Sequence, residues 1–352
     1  MADYYVTQIK KSDNRSLQKV HSLLLSEGIK ADKNLDYTCA IFDDDMNVIA
    51  TGSSFKNTLR CFAVDKKHQG EGLLNMIAGH LMEHQIELGN THFFVYTKCE
   101  TEHFFASLGF YTIEKINGQI VFMENKKNGF ENYVHRLVNE TEDYNNGINC
   151  VAAIVMNANP FTLGHRYLVS QAAKEYDLVH IFGLSDESSL IPYKVRKKLI
   201  IEGCRDFSNV IYHDSDAYMI SSATFPSYFQ KDDDSVITGH AMLDAHIFCR
   251  IAKRLNISSR YIGSEPKSHV TGRYNSILKQ ELPVFGIDCI EIPRFTIDGK
   301  CVSASDVRLA IKNDDKVLLR QLVPDSTYEY FTSDMSKEVR KMISSAENVV
   351  HY

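Results

Sequence analysis

Residues 151–156 read VAAIVM, a buried-strand pattern, and residues 157–165 (NANPFTLGH) follow without a break. Beyond them Leu168, Val169, Ala172, Ala173 and Tyr176 recur at three- to four-residue spacing, which predicts a helix. A strand that turns through Asn, Pro and Gly straight into a helix restricts the fold more than any other stretch of this chain. The unpaired N–H groups of the first helical turn and the positive end of the helix dipole converge on one point, and that point suits a phosphate.

Other segments extend the pattern. Strand signals at residues 178–184, 210–214, 236–238, 260–263 and 288–292 alternate with helical ones, as expected for a parallel sheet flanked by helices. In such sheets ligands bind beyond the carboxyl ends of the strands, where the 157–165 turn would lie. The 352 residues exceed what one core usually organises, so two domains are expected. An Asn-, Gly- and Glu-rich stretch places the boundary: residues 1–130, a linker at 131–149, a second domain at 150–332 and a helical tail at 333–352. Within the first part, a helix near 20–25, strands at 38–42, 48–53 and 59–64, and a helix over 72–88 precede a strand at 92–97 and a helix at 102–107. Strands at 110–116 and 119–124, joined by Asn117-Gly118, complete a mixed α+β unit.

The formal net charge is −6, with Lys and Arg scattered, which argues against a nucleic-acid partner held by counterion release. The eight cysteines show no zinc-ligand spacing. Free buried thiols in a reducing compartment are expected, Cys150 before the first strand among them. With no secretory signal and no apolar run near the roughly 18 residues of a membrane span, the expectation is a cytoplasmic protein that does not enter the membrane.

Thr162-Leu163-Gly164-His165 resembles the His/Thr-x-Gly-His signature of the nucleotidyltransferase superfamily, and Val302-Ser303-Ala304-Ser305-Asp306-Val307-Arg308 resembles its later Ser-rich motif ending in Arg. Attack on an α-phosphate builds negative charge on the phosphoryl oxygens, so prepositioned donors are useful there. His165 offers an imidazole N–H, Thr162 a hydroxyl, and Gly164 a backbone that phosphate can approach. Asn157, Asn159 and Phe161 belong to the same turn. At the later motif Ser303 or Ser305 can cap a helix and donate to phosphate, while Arg308 can reach a β- or γ-phosphate as a fork of donors. The resemblance adds Lys194 and Arg196 as triphosphate contacts, and Gly263 and Glu265 near ribose or adenine. Asp244 and His246 read as helix-surface groups.

Lys67-His68-Gln69-Gly70-Glu71-Gly72 resembles the pyrophosphate-binding turn of GNAT acetyltransferases, and residues 104–110 (FFASLGF) that family's later aromatic segment. Gly70 and Gly72 would let consecutive backbone N–H groups hold a coenzyme-A-like ligand. The implied fold class is α/β: an N-terminal GNAT-like α+β domain followed by a Rossmann-like nucleotidyltransferase domain with a parallel sheet.

Both halves in this order, with residues 281–294 (ELPVFGIDCIEIPR) between the later motifs, resemble the citrate lyase ligase family. That resemblance implies that ATP, arriving with Mg²⁺, and acetate form acetyl adenylate. It further implies that a thiol on the coenzyme-A-derived prosthetic group of the citrate lyase acyl carrier subunit then displaces AMP. The motifs hold no protein nucleophile and no compact acidic metal cage. An adenylyltransferase for a cofactor precursor such as a pantetheine phosphate or nicotinate mononucleotide, or a non-catalytic nucleotide sensor, would carry the second domain's motifs as well.

Overall fold

A computed structural model of the protein describes residues 4–32, 34–144, 147–185, 187, 189–219, 233–265, 268–347 and 349. Two compact units divide between Glu131 and Asn132, and the stretch that ends at Gly239 is grouped with the first.

The first unit is built on a seven-stranded mixed sheet. Its elements are β1 (Thr7–Gln8), α1 (Asn14–Ser26), β2 (Tyr37–Phe42), β3 (Val48–Phe55), β4 (Thr58–Val64), α2 (Leu73–Glu87), β5 (Phe94–Thr97), α3 (Glu102–Ser107), β6 (Tyr111–Ile116) and β7 (Ile120–Glu124). The strand order is β1-β2-β3-β4-β5-β7-β6. Alternation along β2 sends Cys39 and Ile41 to a core with α2 and α3, and Ala40 to a second core with α1. The β4–β5 pair is parallel and holds for only two registered residues, Thr58↔Phe94 and Leu59↔Val95. Beyond that point the β3–β4 register shifts and Cys61 takes φ 55°, so β4 bulges and the two strands part.

In the second unit five parallel strands run in the order β10-β9-β8-β11-β12. Helix α4 (Gly129–Asn139) leads to β8 (Val151–Met156), α5 (Leu163–Glu175), β9 (Leu178–Gly183), α6 (Tyr193–Gly203), β10 (Val210–Asp214), α7 (Asp233–Arg254), β11 (Ser259–Gly263), α8 (His269–Glu281) and β12 (Asp288–Ile292). A small hairpin, β13 (Thr296–Ile297) with β14 (Lys300–Cys301), precedes α9 (Ala304–Lys312), α10 (Lys316–Leu322), α11 (Asp325–Thr332) and α12 (Lys337–Ser345). The order reverses between β8 and β11, the switch point at which doubly wound sheets bind ligands. One face of the sheet shares a core with α5, α6 and the C-terminal helices, through Val169, Leu199, Val307, Phe331 and Ile343.

Several expectations are corrected. Residues 236–238 are helical, inside α7 rather than in a strand, because a three-residue β-branched run cannot outweigh the longer helical pattern around it. The helix expected within the linker, near residues 133–138, is present as part of α4, whose Tyr133, Val134 and Leu137 are buried; residues 145 and 146 lie outside the described residues. The helix expected in the tail is present as α12, and what the expectation lacked is that its Val339 and Ile343 join the main core; residues 350–352 lie outside the described residues. Asp244 is buried rather than on a surface, because Arg260 Nη1 donates to its Oδ2 at 2.9 Å and Tyr274 Oη at 2.5 Å. All eight cysteines are free, but Cys150 is exposed, one residue short of the sheet's cover.

Candidate functional site at the switch point

Thr162 caps α5. Its Oγ1 accepts from His165 N–H at 3.3 Å, and its own N–H donates to His165 Nδ1 at 3.0 Å. This reciprocal capping box uses histidine where Glu or Gln usually stands. Because Nδ1 accepts, the ring proton sits on Nε2, which leaves His165 a neutral donor. Burial and the positive charge of Arg294 push its pKa down to about 4, so the imidazole stays uncharged at neutral pH. The ring stacks on Phe161, with centroids 5.8 Å apart, and Phe161 is fully buried against the core.

The asparagines brace the turn. Asn159 Oδ1 accepts from Ile191 N–H at 3.1 Å, while its Nδ2 is buried and has no partner among the described residues. Asn157 Nδ2 donates to Ser189 Oγ at 3.0 Å, and Asn157 Oδ1 accepts from Arg196 Nη1 at 2.6 Å. Arg196 is buried and committed to oxygen atoms of the scaffold: Nη1 also donates to the carbonyls of Asn157 and Leu184, and Nε to that of Ile191. These bonds brace the turn from below. Lys194 is exposed in the first turn of α6.

The later motif meets this turn. Ser303 caps α9, accepting from Asp306 N–H at 3.1 Å and donating to Asp306 Oδ2 at 2.6 Å. The carbonyl of Val302 lies 3.4 Å from where a methyl on Gly164 would sit, so the two motifs touch at the glycine. Arg308 is buried, and burial lowers its pKa. Its Nη1 donates to the Asn159 carbonyl at 2.5 Å, its Nε to the Val349 carbonyl at 2.6 Å and its Nη2 to Ser305 Oγ at 3.2 Å. The residue expected as a phosphate fork joins the two motifs to the C-terminal segment through these bonds.

Gly263 ends β11, and its carbonyl accepts from Asn275 Nδ2 at 3.0 Å. Glu265 accepts from Ser268 N–H at 3.3 Å and pairs with Arg294, so its carboxylate has work besides any ribose. Motif reading assigns no role to Arg294, which reaches this turn from the segment after β12 and closes the 281–294 stretch that carries the family resemblance.

The first unit holds a separate cavity of about 560 Å³ where β4 and β5 part. Phe62, Leu73, Tyr96 and Phe104 give it apolar walls, and Gly70 and Gly72 lie at its edge. Gly70 takes φ 91° and Gly72 φ 78°, backbone conformations that side chains disfavour. Gly72 caps α2, so the N–H groups of residues 73–75, which no helical carbonyl can serve, face the turn's end of that helix.

Sheet order, capped turn and switch point define a class: an α/β domain of the doubly wound type. The family profile described as the citrate lyase ligase C-terminal domain matches residues 151–331. The citrate (pro-3S)-lyase ligase of Escherichia coli K12 is 33% identical over 92% of this chain and 92% of its own, and that of Klebsiella pneumoniae is 36% identical over 80% and 83%. The protein belongs to the citrate lyase ligase family. Among solved structures, a GNAT-family acetyltransferase from Staphylococcus aureus Mu50 covers 35% of this chain and 99% of its own at 13% identity, with a TM-score of 0.30. Escherichia coli ElaA covers 36% and 100% at 11% identity, with a TM-score of 0.31. Among the described residues no helix is long and apolar enough to cross a membrane.

Proposed function

We propose that the protein is an acid–thiol ligase that acetylates the coenzyme-A-derived prosthetic-group thiol of the citrate lyase acyl carrier subunit at the expense of ATP. In the first step an acetate oxygen attacks the α-phosphorus, the bond to the β-phosphate oxygen breaks, and acetyl adenylate and pyrophosphate form. In the second the carrier thiolate attacks the acetyl carbon and AMP leaves. ATP enters as its magnesium complex.

The observation that carries this reading is the meeting of the two motifs at the switch point. There His165 offers a neutral Nε2–H and α5 its first-turn N–H groups, donors suited to charge that grows on a phosphoryl group. Thr162 contributes by holding the ring rather than by facing a ligand. The buried Asn159 Nδ2 is a further donor at the turn. In the first unit the open cavity at the parting of β4 and β5, with Gly70 and Gly72 at its edge, suits the pantetheine arm and phosphate of the carrier's prosthetic group. Cytoplasmic location accords with a partner thiol that must stay reduced.

Exchange of labelled pyrophosphate into ATP tests the first step. Acetate-dependent exchange, followed by AMP release and thioester formation on purified deacetylated carrier, is the expected result. Exchange that needs a cofactor precursor instead of acetate, or none under any condition, would overturn the proposal in favour of an adenylyltransferase or a nucleotide sensor.

A further inference from the structure

The charged groups at the switch point are not distributed as motif spacing suggests. Arg308 and Arg196, both expected on the triphosphate, are buried beneath the turn, with Arg196 donating to carbonyl and amide oxygens and Arg308 to carbonyl oxygens and the Ser305 hydroxyl. Phosphoryl transfer nevertheless calls for a fixed cation beside the transferred group.

The segment after β12 supplies one. Arg294 Nε donates to the Ser264 carbonyl at 3.0 Å, and its Nη2 pairs with Glu265, whose carboxylate is itself pinned by Ser268 N–H at 3.3 Å. These contacts tie the guanidinium to the carboxyl end of β11, the strand across the switch point from β8. The following residue ties it to the other side: the Phe295 ring lies 5.3 Å from that of Tyr167 on α5, and the Phe295 carbonyl accepts from Val302 N–H at 2.9 Å. Val302 in turn abuts Gly164. Residue 294 is therefore held between the β11 end and the first turns of α5, and its charge is felt at His165, whose protonated form it disfavours. Nε and Nη2 are engaged in the scaffold, and an arginine has further donors on Nη1.

Building on the ligase reading, we propose that Arg294, oriented by Glu265 and the Ser264 carbonyl, is a catalytic guanidinium that contacts the α-phosphoryl group beside His165 and takes up its growing negative charge. Glu265 is then a positioning residue. It keeps the guanidinium plane fixed and offsets its charge until the anionic substrate arrives.

The test compares Arg294→Ala, Arg294→Lys and Glu265→Gln with the unaltered protein in acetate-dependent pyrophosphate exchange, with ATP affinity measured separately by calorimetry. Loss of a charge-stabilising donor lowers turnover by about 100-fold or more, so Arg294→Ala is expected to lose at least that in kcat while ATP affinity falls by less than about 10-fold. Arg294→Lys regains part of the rate, and Glu265→Gln lowers kcat by about 10-fold with a smaller change in KM for ATP, a split that mere loosening of the fold would not give. Exchange within about 3-fold of the unaltered protein in Arg294→Ala would overturn the assignment. If Arg294→Ala does not fold, the same result in Arg294→Lys overturns it, since one ammonium cannot hold Ser264, Glu265 and a phosphate together. An unaltered protein with no acetate-dependent exchange would overturn the ligase reading instead, and this assignment with it.

Discussion

Arg308 Nη1 donates a 2.5 Å hydrogen bond to the carbonyl oxygen of Asn159 across 149 residues of sequence. The bond closes the nucleotide turn onto the start of α9, and the same guanidinium holds the Val349 carbonyl at 2.6 Å. A single buried cation thus ties together three chain segments that also share the apolar core through Phe161, Val307 and Val349.

Removing that cation strands buried carbonyls. Arg308→Ala is expected to lower unfolding free energy by about 2–4 kcal/mol, seen in urea titration, and to reduce pyrophosphate exchange sharply. Arg308→Lys keeps the charge, but its three donors diverge from one nitrogen and do not match acceptors reached from three guanidinium nitrogens, so it should recover less than half of the lost stability. A change below about 0.5 kcal/mol in Arg308→Ala would refute the clamp.

The protonation of His165 follows from its partners. Its folded pKa of about 4 lies below the model-peptide value of 6.5, so between these pH values the unfolded chain binds more protons and stability falls as pH falls. This contribution is complete above about pH 6.5 and is lost progressively towards pH 4. In nitrogen-15 spectra His165 should show an unprotonated Nδ1 and no titration from pH 8 to 5.5; a midpoint near 6.5 would contradict the capping geometry.

Gly203 on α6 touches no proposed ligand, yet a methyl there would lie 2.5 Å from the Phe161 ring. Gly203→Ala should push that ring and the His165 stacked upon it, costing about 1–3 kcal/mol of stability. The exchange rate should drop by about 10-fold or more, because small displacements of catalytic groups are expensive. Unchanged kcat in a folded Gly203→Ala protein would show that the stack does not set the imidazole.

Gly70 bears on the second step. Its φ of 91° and its place at the cavity edge predict that Gly70→Glu strains the turn and sets a negative charge where the prosthetic-group phosphate would bind. Single-turnover transfer from preformed acetyl adenylate to the carrier should slow by about 10-fold or more, and the loss should appear as a higher KM for carrier. Transfer at the original rate would remove the first unit from the reaction.

Much of the parallel sheet was readable because each strand is a short apolar run closed by turn residues. Residues 151–156 and 210–214 matched to the residue, and the turn at 157–165 fell at the carboxyl end of β8 as alternation required. Residues 236–238 failed because local β-branching says little inside a long helix. Asp244 was misread because Arg260 and Tyr274, which bury it, lie 16 and 30 residues away. Arg294 stayed hidden for a similar reason: nothing near it in sequence shows that Ser264 and Glu265 will hold it.

Local letters were enough to settle that this chain makes a strand, a turn and a helix at 151–175, and that a second serine-capped helix follows, since capping and periodicity act over a few residues. Which arginine is buried beneath the turn and which is held between Ser264 and Glu265 was decided only when β11, β12, α5 and α9 converged. Charge and hydrogen-bond partnership depend on distances in space, and for Arg196, Arg294 and Arg308 those distances are set by packing between segments far apart in the chain.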